Sequence, residues 1–173
     1  MNRIGIVIIC LFLMLPCAAQ SDDREAAVRT AIQAFYKAFD DGFVGPADYA
    51  TEDWNHISPY GGRGRGRETV RAALNEVHKT FLKGTTDTIE NVDIRFADQD
   101  VAVGTATSTM SPFTSPDGVK HGTERHIRTF VVVKRDGRWL IMQDQHNGDR
   151  VARTIRRLFA RFLVSPVQNR RGR

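Results

Sequence analysis

The chain has 173 residues, a length that suggests one domain with short extensions at its ends. Residues 20–149 carry 16 Lys and Arg against 20 Asp and Glu, whereas residues 150–173 carry eight Arg and no acidic residue. The net charge of +5 is therefore a property of the tail. It does not indicate nucleic-acid binding by the domain, and we expect no nucleic-acid partner.

The first 19 residues have the pattern of a signal peptide. Arg3 supplies the positive start, Ile4 to Leu15 form an apolar run, and Cys17-Ala18-Ala19 is a small-residue cleavage site. We expect cleavage after Ala19 and a secreted or periplasmic protein. The run is short for a membrane span, which disfavours an uncleaved anchor, and lipid attachment at Cys17 is a weaker alternative. The mature chain would lack cysteine, which excludes disulfides and thiolate chemistry.

Two segments have helical periodicity. The first is residues 22–41, with Asp22 and Glu25 spaced as a capping box and an apolar face at Val28, Ile32, Phe35, Tyr36 and Phe39. The second is residues 68–83, which ends at Gly84. Between the helices we expect a short strand over residues 53–58 and a glycine-containing loop over residues 59–66.

After Gly84 the period changes to two. Val92, Ile94 and Phe96 alternate with polar residues, and Val101 to Met110 form the next predicted strand. A loop over residues 112–118 precedes two long strands, 123–134 and 139–147, joined at Asp136-Gly137, a strong hairpin-turn pair. Helices followed by a strand meander indicate an α+β domain over residues 20–149, with the helices on one face of an antiparallel sheet.

These features resemble the nuclear transport factor 2-like superfamily, and within it the SnoaL-like branch of the SgcJ/EcaC kind. The resemblance covers about residues 23–147. It depends on the first helix, the Trp54 to Gly66 loop, the Gly66-Arg-Glu-Thr-Val helix start and the Asp136-Gly137-Arg138-Trp139 hairpin. It implies a cone-shaped fold with a central pocket, often a homodimer. Members include isomerases, cyclases and dehydratases, and also domains that only bind or associate, so the fold alone does not decide function.

The last strand offers two alternative sets of pocket residues. Alternation places Trp139, Ile141, Gln143 and Gln145 on one face and Leu140, Met142, Asp144 and His146 on the other. The resemblance turns the Trp139 face inward, so Gln143 and Gln145 would orient a carbonyl or hydroxyl of a small, largely apolar or amphipathic ligand. The opposite register would bring in Asp144 and His146 and favour a cofactor-independent isomerase, cyclase or dehydratase, with Asp144 or His126 as its base.

Other candidate ligand-binding residues are Trp54, His56, Tyr60 and Phe81, which would supply aromatic walls and polar contacts at the mouth. His126 is either a titrating residue of the pocket wall or a half-exposed strand residue. We expect no metal site, because on a continuous strand His121 would point away from Glu124 and His126. We also expect no cofactor.

The basic tail has its own pattern. Residues 150–165 have helical spacing with an apolar stripe at Val151, Ile155, Leu158, Phe159 and Phe162, and residues 166–173 are expected to be disordered. The stripe could pack on the sheet or on a partner subunit, or the arginines could attach the helix to an anionic membrane surface. A third hypothesis is therefore a non-catalytic dimerisation domain whose tail contacts an anionic partner.

Overall fold

The structure is a computed structural model that describes residues 17–147, with side chains from residue 23. The helices are α1 (Cys17–Asp40) and α2 (Arg67–Lys79). The strands are β1 (Ala50–Ile57), β2 (Arg63–Arg65), β3 (Asp87–Asp98), β4 (Val101–Met110), β5 (Phe113–Thr114), β6 (Lys120–His121), β7 (Glu124–Arg135) and β8 (Arg138–Asn147). The predicted tail elements at 150–173 and most of the predicted signal peptide lie outside the described residues.

Six strands form one curved sheet in the order β2-β1-β8-β7-β4-β3. The predicted antiparallel run from β3 to β8 is confirmed, with β5 and β6 forming a separate small hairpin where a loop was expected. The short strand before α2 has a place that the sequence did not indicate: β1 lies beside β8 and runs parallel to it. The predicted cone-shaped α+β fold is confirmed.

The helices pack against this sheet and leave a space between them. α1 contacts β3, β4, β7 and β8, and α2 contacts β1 and β2. The approach of α1 is close: a Cβ on Gly104 would lie 2.5 Å from Ile32 Cδ1, so a larger residue at this point of β4 would displace the buried Ile32 side chain. None of the helices described within residues 17–147 is long and apolar enough to cross a membrane.

An aromatic cluster centred on Phe35 holds the helix to the sheet. Phe35 is fully buried and makes edge contacts, with ring centroids 5.4–6.2 Å apart, to Tyr36, Phe43, Tyr49, Trp54 and Phe130. Such pairs add about 0.5–1.5 kcal/mol each beyond the area they bury. The predicted apolar face of the first helix is therefore confirmed as core.

The predicted helix ends are partly wrong. The described part of α1 begins at Cys17, so Asp22 does not cap it, and the expected cleavage point after Ala19 falls in its first turn. α2 ends at Lys79, four residues early, because Thr80 closes the last turn with its amide on the Val77 carbonyl. The chain then turns once more before Gly84, which has a positive φ of 74°.

The β7–β8 hairpin forms as predicted at its turn. Asp136 and Gly137 have φ of 50° and 76°, the left-handed pair that a two-residue hairpin loop requires. Farther along, β8 departs from simple alternation. Val132 pairs with Ile141 but the neighbouring Val131 pairs with Gln143, which leaves Met142 as the extra residue of a β-bulge.

Because of the bulge, the register of β8 differs from the predicted one. Trp139 and Ile141 point inward, as the resemblance implied, but beyond Met142 the facing residues change. Asp144 and His146 are buried at 0% and 7% exposure, whereas Gln145 is exposed. The expectation that Gln143 and Gln145 face inward together with Trp139 is wrong, because one extra residue reverses the alternation of all residues after it.

Candidate functional site

A cavity of about 600 Å³ lies between the two helices and the far end of the β7–β8 hairpin. The walls formed by the helices and by the turns that follow them are apolar: Phe35, Phe39, Phe43, Val70, Leu74, Val77, Phe81 and Leu82. The opposite wall is polar and includes Arg63, Glu124 and Arg128. All five histidines of the chain, His56, His78, His121, His126 and His146, line this one cavity.

His56 and Asp144 form a dyad at the cavity wall. They are direct neighbours on the parallel strands β1 and β8, and His56 Nδ1 lies 2.9 Å from Asp144 Oδ2 and 3.1 Å from Oδ1. Because a carboxylate only accepts hydrogen bonds, the Nδ1 of His56 must carry the proton. The other ring nitrogen, Nε2, is then an acceptor available to a molecule in the cavity.

Asp144 is held as an anion by three donors. It is fully buried and also accepts hydrogen bonds from Trp54 Nε1 and Arg128 Nη1, both at 2.8 Å. Burial alone would raise the pKa of Asp144, but the His56 hydrogen bond and the Arg128 charge together outweigh it and lower that pKa below its usual value. Asp144 therefore stays ionised beneath the cavity surface.

Arg128 brings a buried positive charge to the same wall. Its side chain is 3% exposed, and its guanidinium carbon lies 4.7 Å above the Phe35 ring, so the cation is stabilised by Asp144 on one side and by an aromatic face on the other. This charge is available to an oxygen that becomes negative in the cavity.

A second group of titratable side chains adjoins the dyad. His146 Nε2 is hydrogen-bonded to His126 Nδ1, and the ring centroids are 4.7 Å apart. His126 Nε2 lies 3.6 Å from Glu124 Oε2, and the other oxygen of Glu124 lies 3.1 Å from His121 Nδ1. Burial, with the nearby charge of Arg128, places the pKa of His146 well below its usual value, so His146 is neutral near pH 7.

One further carboxylate lies behind this group. Asp87, on β3, is 1% exposed, and burial raises its pKa while Ser108 and the charge of Arg128 act against that rise. Asp144 and Asp87, the two buried carboxylates near Arg128, thus have pKa values shifted in opposite directions. Such a difference in pKa is typical of sites that pair an acid with a base.

The structure brings four of the predicted site residues to the cavity surface. His56, Phe81 and His126 line it, and Tyr60, which is 69% exposed, lies at its mouth. Trp54 was expected in the pocket wall but lies in the core behind it, where it donates to Asp144. Its role in the structure is to hold the carboxylate.

The candidate residues on the last strand do not lie where the sequence predicted them. Gln143 accepts a hydrogen bond at 2.7 Å from Asn55 on the other face of the sheet, and neither Gln143 nor Gln145 lines the cavity. Asp144 faces inward but lies beneath the lining residues and acts on the cavity through His56.

The argument against a metal site also needs correction. His121 lies on β6 and Glu124 begins β7, so the chain bends between them and their side chains meet. Even so, no group of three or more His, Cys, Asp or Glu side chains within residues 23–147 could hold a metal ion.

Sequence reasoning missed the convergence of the histidines. They come from four strands and one helix, so only the tertiary fold brings them together. One signal was available in the sequence. Asp144-x-His146 and Glu124-x-His126 have the same acid–x–His spacing, and they lie on the two strands of the predicted hairpin.

Comparison with known proteins identifies the fold family. The family model of the SnoaL-like domain matches residues 24–143. An uncharacterised protein with a cystatin-like fold from Caulobacter vibrioides is 20% identical, with a TM-score of 0.70 over 79% of this chain and 99% of that one. No curated protein matches this chain significantly.

Two solved structures come from Novosphingobium aromaticivorans. One, provisionally named a scytalone dehydratase, is 18% identical, with a TM-score of 0.64 over 76% of this chain and 88% of that one. The other, an NTF2-like protein with a cystatin-like fold, is 14% identical, with a TM-score of 0.61 over 75% and 84%. Such identities establish the fold only, while the family model covers most of the chain. The chain belongs to the SnoaL-like domain family and has the fold of an NTF2-like protein.

Proposed function

We propose that this protein is a cofactor-independent acid–base enzyme of the isomerase or dehydratase type, acting on a small, largely apolar molecule with an enolisable carbonyl. The observation that carries the proposal is the His56–Asp144 dyad. His56 Nδ1 is held by a buried carboxylate, and Nε2 is left to the cavity.

His56 has the geometry of a general base. A neutral imidazole with Nδ1 bonded to an anion has a fixed tautomer, with its lone pair on Nε2. It would remove a proton from the carbon beside the carbonyl, and Asp144 would stabilise the resulting imidazolium.

Arg128 would stabilise the enolate oxygen. A fixed positive charge in a site with apolar walls stabilises a developing oxyanion more strongly than the same charge in water does, because it needs no reorganisation when the charge forms. The aromatic and aliphatic side chains of α1 and α2 would hold the apolar body of the substrate.

The test uses a ketone that need not be the natural substrate. α-Tetralone in D₂O would exchange its α-hydrogens, followed by proton NMR, faster with the protein than in buffer. His56→Gln should lower the protein-dependent rate by a hundredfold or more, on the order expected for loss of a general base. Gln145→Ala, on the exposed outer face, is the matched control and should exchange at the wild-type rate.

A second candidate is ligand binding without turnover, favoured by the apolar area of the helical walls. Quenching of Trp54, which donates to Asp144 beneath the cavity, would report binding of α-tetralone. Binding with no exchange above the buffer rate would contradict the enzyme and leave this candidate, whereas full exchange by His56→Gln would contradict the role of His56 as the base.

Export with cleavage after Ala19, homodimerisation, and attachment of residues 150–165 to an anionic membrane surface stay predictions. Mass spectrometry of the mature N-terminus, sedimentation of the purified protein, and vesicle binding after deletion of residues 150–173 would test them separately.

A further inference from the structure

We propose that Glu124, His126 and His146 form a proton relay that makes His146 a second proton-transfer residue of the cavity, beside His56. This inference rests on the proposed acid–base function. It would extend that function to substrates with two proton-exchanging atoms, such as a hydroxyl or second acidic carbon near the enolisable carbonyl.

The chain of contacts consists of one hydrogen bond and one longer ion-pair contact. His146 Nε2 is bonded to His126 Nδ1, and His126 Nε2 lies 3.6 Å from Glu124 Oε2. The last distance is that of an ion pair. It exceeds the hydrogen-bond range by a few tenths of an ångström, which a small rotation of the Glu124 carboxylate would close, because that terminal torsion is soft.

The partners determine where the protons lie. A carboxylate can only accept, so His126 Nε2 carries the proton that faces Glu124. A neutral His126 then has a lone pair on Nδ1, and the proton shared with His146 belongs to His146 Nε2. The remaining nitrogen of His146, Nδ1, is left with its lone pair, and His146 lines the cavity.

Each proton movement is balanced. A substrate proton binds His146 Nδ1, the Nε2 proton of His146 passes to His126 Nδ1, and the Nε2 proton of His126 passes to Glu124 Oε2. The reverse sequence returns a proton to another atom of the substrate. No electron is transferred to or from the protein, and no co-reactant is required.

The two proton-transfer residues are placed for one substrate. His56 is the neighbour of Asp144 on the adjacent strand, and His146 follows Asp144 by two residues on the same face, about 7 Å along β8. In a relay of this kind His146 touches the substrate, whereas His126 and Glu124 are positioning residues. Arg128, His126 and His56 are the charged or titratable groups that face His146.

The relay can be tested in the full chain without a substrate. Long-range proton–nitrogen NMR on ¹⁵N-labelled protein shows which ring nitrogen of each histidine carries its proton. We expect His146 and His126 both to be protonated on Nε2 in the wild type. A His146 protonated on Nδ1 would overturn the proposal before any variant is made.

Glu124→Gln tests whether a change at Glu124 alters the proton positions of both His126 and His146. The shorter contact, 3.1 Å to His121, should keep the single amide oxygen, so the NH₂ group would face His126 and donate to it. His126 would then move its proton to Nδ1, and His146 would move its proton to Nδ1 in turn. An unchanged His146 would overturn the relay. Glu90→Gln, an equivalent change beside Arg125 on the outer face, is the control.

The exchange assay separates this inference from the proposed function. β-Tetralone has an acidic carbon on each side of its carbonyl, whereas α-tetralone has only one. His146→Gln should lower β-tetralone exchange at one of these carbons by about a hundredfold while His56 is intact and exchanges the other. Loss of exchange in His56→Gln, with full exchange in His146→Gln, would overturn the relay and leave the dyad as the sole base.

Discussion

The two ends of the β7–β8 hairpin have different chemistry although they share the same two strands. Near the turn, Trp139 and Ile141 point inward into an apolar core, and the ion pair there, Arg135 with Asp53, has side chains 45% and 57% exposed. Beyond the Met142 bulge, the inward residues are Asp144 and His146, and the ion pair with Arg128 is almost completely buried. The turn end holds the sheet together, and the far end holds the candidate site.

The ion pairs at the two ends should differ greatly in how much they contribute to the free energy of unfolding. Asp144→Ala would leave Arg128 charged and buried, and would remove the acceptor of Trp54 and His56, so we expect a loss of about 3–5 kcal/mol in the free energy of unfolding. Asp53→Ala, at the turn end, removes an exposed pair and should cost at most about 1 kcal/mol. Guanidinium unfolding of both variants measures the difference, and equal losses would contradict it.

Deletions test whether the bulge separates the two ends. Removing Met142 leaves strict alternation from Trp139 through Asp144 and His146, all facing inward, so we expect a folded protein that loses roughly 1–3 kcal/mol. Removing Leu140 together with Met142 leaves an odd separation with no bulge residue, which forces Trp139 or the Asp144 face outward and should be much more destabilising. Thermal unfolding compares the two deletions. If both have the same stability, the bulge does not determine which β8 side chains point inward.

The far end should make stability depend on pH. Because the folded-state pKa of His146 lies well below that of an unfolded histidine, about 6.5, the unfolded chain takes up a proton that the folded chain does not. Stability should therefore fall as pH decreases below about 6.5, by up to about 1.4 kcal/mol per pH unit for one such group.

His146→Gln should reduce this slope in urea unfolding between about pH 7 and pH 5. His78 has a pKa lowered by burial as well and contributes with the same sign, so part of the slope should remain. A slope equal to that of the wild type would show that His146 is not the responsible group.

The smallest effect belongs to the turn itself. Gly137 has a φ of 76°, so Gly137→Ala should cost about 1 kcal/mol. The protonated nitrogens of His126 and His146 should stay unchanged, because the turn is separated from them by the length of the hairpin. A change at either histidine would show that the two ends are coupled.

Local signals predicted most of the architecture. The 3.6-residue period of α1, the alternation of β4 and the Asp136-Gly137 turn each depend on neighbouring residues, and the structure confirms them. The residues whose facing was predicted correctly, such as Trp139 and Ile141, lie between that turn and the first irregularity. Gln143 and Gln145 were misplaced because they lie past it.

What the sequence determined by itself was therefore the helix–strand order, the apolar face of α1, the hairpin and the resemblance to a family. Only the tertiary structure decided the site. Its decisive contacts, His56 with Asp144 and Trp54 with Asp144, join residues 88 and 90 positions apart. They depend on the parallel pairing of β1 with β8 and on one extra residue at Met142, and a bulge forms through pairing with neighbouring strands that no local pattern records.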